Sequence, residues 1–172
     1  MPSGHNPNDY LVERLSCDSH DGKKIPFTIT RHKKTKLDGN ANLLLYAYGS
    51  YGMSMGPGFS SSRLSLINRD IIWVTAHIRG GMERGMSWWK EGKMLNKKNT
   101  FEDYISSAKF LIKKKYTGKG KIIGMGGSAG GLLMGAVVNQ APGLFCGMIM
   151  SVPFVDTLTT NLNHSLPLTV GE

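Results

Sequence analysis

The sequence predicts an α/β fold with a mostly parallel sheet, and three observations carry that expectation. Two short, continuously apolar runs, Leu43-Leu44-Leu45-Tyr46-Ala47 and Ile71-Ile72-Trp73-Val74-Thr75-Ala76, read as strands covered on both faces. Helical spacing fills the intervals, most clearly at Phe101, Tyr104, Ile105, Ala108, Leu111 and Ile112, which form one apolar stripe. Strands that alternate with helices in this way are joined by crossovers, and crossovers make a parallel sheet.

The elements follow in chain order. Residues 10–17 alternate between polar and apolar, His20-Asp21-Gly22 supplies a turn, and residues 25–31 alternate again, so the chain opens on an antiparallel hairpin. A polar connection at 36–42, containing Asp38-Gly39, leads to the first apolar strand at 43–47. A helix at 62–68 precedes the strand at 71–76. The striped helix occupies 101–116. Thr100 with Asp103 three residues on resembles a capping box, and Lys113-Lys114-Lys115 sit where cations suit the C-terminal end of the helix dipole. Strands at 121–125 and 148–152 flank a helix at 129–140, which Ala141-Pro142-Gly143 ends. No internal repeat, heptad or low-complexity segment interrupts the pattern.

Composition bounds the function. The chain has 172 residues, 40% apolar and 19% charged, which suits one globular domain with a real core. No apolar run reaches the length of a membrane span, and the polar, turn-rich first seven residues show no secretory leader. Two cysteines, Cys17 and Cys146, cannot build a disulfide framework. Cys146 lies in an apolar segment and reads as a core residue. These features favour a cytoplasmic location. The net charge of +9 comes in short clusters, Lys33-Lys34, Lys97-Lys98 and Lys113-Lys114-Lys115, without zinc spacing or an aromatic-studded single-strand pattern. It reads as solvated surface rather than as a nucleic-acid or membrane site. No cofactor or metal is expected.

The chemistry lies in Gly126-Gly127-Ser128-Ala129-Gly130-Gly131, which contains G-x-S-x-G between a predicted strand and a predicted helix. That is the context of the nucleophile elbow of an α/β-hydrolase. The turn is tight, so the positions around Ser128 must have little or no side chain. It also sets the serine hydroxyl at a helix N-terminus, where the Ala129 N–H is the natural first donor to an oxyanion. Two other readings carry less weight. Gly124-x-Gly126-x-x-Ala129 matches a dinucleotide-binding pattern, but it is not at the chain's first strand-to-helix turn, and the next strand ends in Val152-Pro153 rather than an acid. A purely structural turn does not need so many glycines around one serine.

Residues 10–172 resemble part of the peptidase domain of the prolyl oligopeptidase family, and most of all its oligopeptidase B (protease II) branch. The resemblance rests on residues 43–52, then Ala76-His77-Ile78-Arg79-Gly80-Gly81, then 92–101, then 126–135. It continues through Val152-Pro153-Phe154-Val155-Asp156 and Leu166-Pro167-Leu168-Thr169 to Gly171-Glu172. It implies an incomplete α/β-hydrolase domain without the family's β-propeller, and a serine-type oligopeptidase that cuts short peptides after arginine or lysine. Ser128 would be the nucleophile. Tyr48 matches the tyrosine whose hydroxyl is the second oxyanion donor beside the Ala129 N–H. Glu172 matches the first acid of a pair that holds the substrate's basic side chain.

Departures from the family pattern set further expectations. Gly56 and Gly58 stand where some relatives have two acids for a second basic side chain, and Met82 replaces a glycine after Gly80-Gly81. The family's triad acid and histidine fall beyond Glu172. Asp156 and His164 follow Ser128 in the right order, but their placement fits a turn or helix cap and an exposed polar position. His77 reads as structural. The chain alone is therefore expected to be inactive, as a fragment or as half of a split enzyme that pairs with a complementary C-terminal fragment. The alternatives are a catalytically dead remnant and a small G-x-S-x-G esterase, which would need a nearby histidine. The last strand, apolar throughout, is expected to be left as a bare sheet edge.

Overall fold

A computed structural model describes residues 4–56 and 58–166. One six-stranded sheet organises the chain in the order β1-β2-β4-β3-β5-β6. The hairpin β1 (Tyr10–Asp18) and β2 (Lys24–His32) is antiparallel from Tyr10↔His32 to Asp18↔Lys24, and β2 also runs antiparallel to β4 (Ile72–Ala76). From β4 outward, β3 (Leu43–Tyr46), β5 (Ile122–Gly127) and β6 (Phe145–Ser151) are parallel. This is the hairpin followed by a parallel sheet that the sequence predicts, and it is an α/β-hydrolase-type fold.

Two helices cover one face of the sheet: α3 (Lys98–Lys113) and α4 (Ala129–Gln140). The main core lies under them, with Ile25, Phe27, Leu43, Leu45, Val74, Leu111, Ile122 and Met134 all but sealed from solvent. Tyr104 of α3 sits in that core, donates to the Leu45 carbonyl at 2.6 Å, and has its phenol pKa pushed up by burial. On the opposite face α1 (Ser61–Ile67) packs over a small cluster of Leu44, Ile67 and Trp73. Two further short helices, α2 (Met86–Lys90) and α5 (Thr157–Leu162), follow β4 and β6.

Element boundaries shift where tertiary contacts outweigh local pattern. Helix α3 starts three residues before its apolar stripe and is not opened by a capping box. Thr100 lies inside the helix and donates to the Arg79 and Gly92 carbonyls, and Asp103 is taken by Arg79. Strand β6 begins at Phe145 rather than 148, because it pairs with β5 from Ile122 onward through a bulge. Among the described residues it is the outer strand of the sheet. That position also corrects the assignment of Cys146 to the core: the residue is exposed, and its thiol donates to the Ile122 carbonyl at 3.3 Å. Ile149, Met150 and Val152 are exposed for the same reason.

Candidate active site

The C-terminal ends of β3, β4 and β5 carry the loops where a parallel sheet places its ligands. Ser128 stands at the end of β5, directly before α4, with φ 53° and ψ −116°. Non-glycine residues rarely hold such a conformation, and it costs on the order of 1–3 kcal/mol. The surrounding backbone secures it. The Ser128 N–H donates to Ser151 O at 2.9 Å, and its carbonyl accepts from the N–H groups of Gly131 at 2.9 Å and Phe154 at 3.0 Å. The flanking glycines are needed for clearance: a Cβ on Gly126 would strike the Gly130 carbonyl, and one on Gly131 would lie 2.5 Å from Pro153 Cα.

The serine itself is exposed, whereas Ala129 and Gly130 behind it are buried. Helix α4 runs twelve residues from Ala129, so the N–H groups of its first two residues, Ala129 and Gly130, lie beside the serine at the positive end of the helix dipole. Tyr48 reaches the same place from β3. The Ala47 N–H donates to Met125 O at 3.2 Å and carries the strand pairing up to it. The Tyr48 ring then lies over the first turn of α4, its Cδ2 3.4 Å from where a Cβ on Gly130 would be. Ser128, Ala129 and Tyr48, picked out separately in the sequence, thus meet at one end of the sheet.

The ion cluster beneath the loop after β4 was not legible in the sequence. Arg79, 1% exposed, follows β4 and is bound through its backbone N–H (3.0 Å), Nε (2.9 Å) and Nη2 (2.6 Å) to the carboxylate of Asp103, which is itself fully buried. Asp21 of the hairpin turn takes Nη1 at 2.5 Å. Burial works against these charges, but the hydrogen bonds win: the one from Arg79 lowers the Asp21 pKa, and those to Asp103 and then Asp21 raise that of Arg79. The available signal was a lone arginine between a buried strand and two glycines. Nearby, His77 is buried as a structural residue, with Nε2 2.9 Å from the Thr28 hydroxyl and Nδ1 3.4 Å from Glu83. Burial opposes ionisation of Glu83, yet His77 and the Met55 N–H (3.0 Å) keep its pKa below the usual value. Met82, where the family pattern has glycine, packs its methyl under Gly52, 2.7 Å from where a Cβ would stand and close to Trp89.

The remaining sequence candidates divide clearly. Asp156 caps α5, accepting from the Thr159 N–H at 3.2 Å, and His164 is exposed. The other histidines are engaged away from Ser128: His77 as described, His20 with Ser19, His32 with the Lys34 N–H, and His5 stacked on Tyr10. Gly56 and Gly58 border open space: a Cβ at either would meet nothing within 4 Å. A cleft of about 320 Å³ opens there, between Ser54, Gly56, Arg63 and Trp73. Glu172 lies outside the described residues. Among the described residues, no group of three or more His, Cys, Asp or Glu could hold a metal, and no helix is long and apolar enough to cross a membrane.

Fold and site together define an α/β-hydrolase-type chain with a serine at a strained strand-to-helix elbow. The chain belongs to the prolyl oligopeptidase family, whose model matches residues 57–172. It is 48% identical over 170 residues to dipeptidyl aminopeptidase BI of Pseudoxanthomonas mexicana, covering 98% of this chain and 24% of that protein. The structure of oligopeptidase B from Leishmania major superposes with a TM-score of 0.94 at 44% identity, over 98% of this chain and 23% of that one. Oligopeptidase B from Trypanosoma brucei, solved with covalently bound antipain, gives 0.94 at 40% identity, over 98% of this chain and 24% of that one. The chain thus spans about a quarter of the relatives that it matches. Membership of a peptidase family displaces the dinucleotide and small-esterase readings of the glycine-rich turn.

Proposed function

We propose that this chain supplies the nucleophile and oxyanion hole of a serine oligopeptidase that cleaves short peptides after arginine or lysine. The observation that carries the reading is the elbow itself: a serine held at φ 53°, at the N-terminus of a twelve-residue helix, with the Tyr48 ring against the same turn. In that reaction Ser128 Oγ attacks the scissile carbonyl carbon and gives its proton to a base. The carbonyl electrons move onto oxygen, where the Ala129 N–H and the Tyr48 hydroxyl receive them. Collapse of the tetrahedral species expels the amine, which takes up the proton, and water then releases the acyl group by the same steps in reverse roles.

The base is the part that this chain does not place. All five histidines are exposed or engaged elsewhere, and the triad histidine and acid would belong to the remainder of the peptidase domain, which a complementary polypeptide can supply. The outer edge of β6, with Ile149 and Met150 exposed, suits a further strand from the rest of that domain. Glu172 would contribute to holding the basic side chain. The preference for arginine rests on the likeness to the two oligopeptidase B structures.

An arginyl fluorophosphonate, followed by peptide mapping, tests this. The chain mixed with the complementary polypeptide should be labelled on Ser128, and a prolyl reagent should label it more slowly. Labelling at another serine, or equal labelling by both reagents, would overturn the nucleophile or the specificity respectively.

A further inference from the structure

Tyr48 begins a loop that has left the strand ladder, and a phenol stabilises an oxyanion only when its hydroxyl is held at the right point. The loop is pressed down at Gly49, where φ is +68° and a Cβ would stand 2.6 Å from Thr100 Cγ2 and 2.8 Å from Ile78 Cδ1. Further along, the Gly52 N–H donates to Gly80 O at 2.9 Å and the Met53 N–H to Ser50 O at 3.0 Å. The Gly49 carbonyl, directly after Tyr48, is met by an ammonium: Lys97 Nζ donates to it at 2.9 Å and also to the hydroxyl of Ser50, which is 1% exposed.

Lys97 occupies a position that a helix would not choose for a lysine. It is the N-cap residue of α3, where Ser, Thr, Asp or Asn would satisfy the free N–H groups, and α3 has no side-chain cap. A cation there also faces the positive end of the helix dipole. The local cost implies a tertiary role, and the contacts on Gly49 and Ser50 supply it. The helix beneath is a firm base, tied by Asp103 to Arg79 and by the Thr100 hydroxyl to the Arg79 carbonyl at 2.9 Å.

We infer that Lys97 is a positioning residue for the oxyanion tyrosine, setting the Gly49–Ser50 turn and through it the direction of the Tyr48 ring. A hydrogen bond from an ammonium is about twice as strong as a neutral one, which suits a loop that must not drift as charge develops beside it. The inference rests on the reading of Tyr48 as an oxyanion donor. The brace itself can be measured without turnover.

The test uses the full chain labelled with fluorotyrosine and read by ¹⁹F NMR, with the Tyr48 signal assigned through Tyr48→Phe. Lys97→Met should shift and broaden the Tyr48 resonance while those of Tyr104 and Tyr116 stay in place. Amide exchange at Gly52 should quicken roughly tenfold or more, as for a lost charge-assisted hydrogen bond. Lys97→Arg, which can still donate to the Gly49 carbonyl, should restore both readouts, and Ser50→Ala should give a smaller change of the same kind. An unmoved Tyr48 signal in Lys97→Met would overturn the inference. So would equal movement of Tyr104 and Tyr116, which would mark Lys97 as general support for the fold. If Tyr48→Phe leaves turnover by the complemented enzyme unchanged, the oxyanion reading fails, and the NMR result stands apart as a measure of the brace.

Discussion

Replacing Asp103 with alanine should be among the most damaging single changes to this fold. The carboxylate is fully buried and accepts from the Arg79 N–H, Nε and Nη2 and from the Ser19 hydroxyl at 2.5 Å. Its removal leaves a guanidinium that is 1% exposed with Asp21 and, at 3.8 Å, Glu91, carboxylates whose side chains are 33% and 35% exposed. Breaking a buried pair from one side costs about 3–5 kcal/mol, because the remaining charge stays desolvated. For a chain of this length each kcal/mol moves the melting temperature by about 2–4 °C, so a fall on the order of 10 °C is expected. Asp21→Ala should cost less, about 1 kcal/mol, since solvent already screens that partner. Thermal and urea unfolding followed by circular dichroism would give both values. A loss for Asp103→Ala within about 1 kcal/mol of zero, or one no larger than that for Asp21→Ala, would refute the view that this buried pair ties α3 to the β4 loop.

Three further expectations follow from the geometry. Ser128→Gly should raise stability by about 1 kcal/mol in urea unfolding, because glycine tolerates φ 53°, and should abolish labelling by fluorophosphonates. Glu83 has a lowered folded pKa, so its contribution is full above its ordinary value of 4.5 and is lost as pH falls through the lower folded value; Glu83→Gln should flatten the acid limb of a stability–pH curve, and an unchanged limb would count against the His77–Glu83 contact. The purified chain should self-associate through β6, since no Lys or Arg follows Lys121 and Ile149 and Met150 are 45% and 42% exposed. Ile149→Lys should shift sedimentation towards monomer, whereas a monomeric parent chain with cooperative unfolding would contradict the bare-edge argument.

The sequence shows the parts of this fold that depend on local pattern. Alternation marks the hairpin, continuous apolar runs mark β3 and β4, and α4 spans the residues expected between the elbow and the Ala141-Pro142-Gly143 stop. The elbow was legible because its glycines answer a steric demand at the turn itself. What the sequence hides depends on distant partners. Asp103 has the spacing of a cap but is claimed by Arg79, 24 positions earlier. Cys146 looks like core because hydropathy does not say which strand lies at the edge of a sheet. Helix α2 shows too weak a pattern to predict. It is held by the buried Trp88, whose indole N–H donates to the His77 carbonyl at 3.0 Å. Lys97 reads as one more surface lysine until the Gly49 carbonyl is seen beside its ammonium.

We propose that Ser128 is the nucleophile and that its histidine base and triad acid belong to the remainder of the peptidase domain. Hydrolysis of an arginyl aminomethylcoumarin peptide measures this most directly, with the chain alone, the chain mixed with the complementary part of the peptidase domain, and the same mixture carrying Ser128→Ala. The chain alone should match its Ser128→Ala variant, since a serine without a general base stays protonated and weakly nucleophilic. The mixture should turn over substrate, and Ser128→Ala should remove that activity. Serine-dependent turnover by the chain alone would show that the base lies within these 172 residues, and activity in the mixture that survives Ser128→Ala would show that the nucleophile is elsewhere.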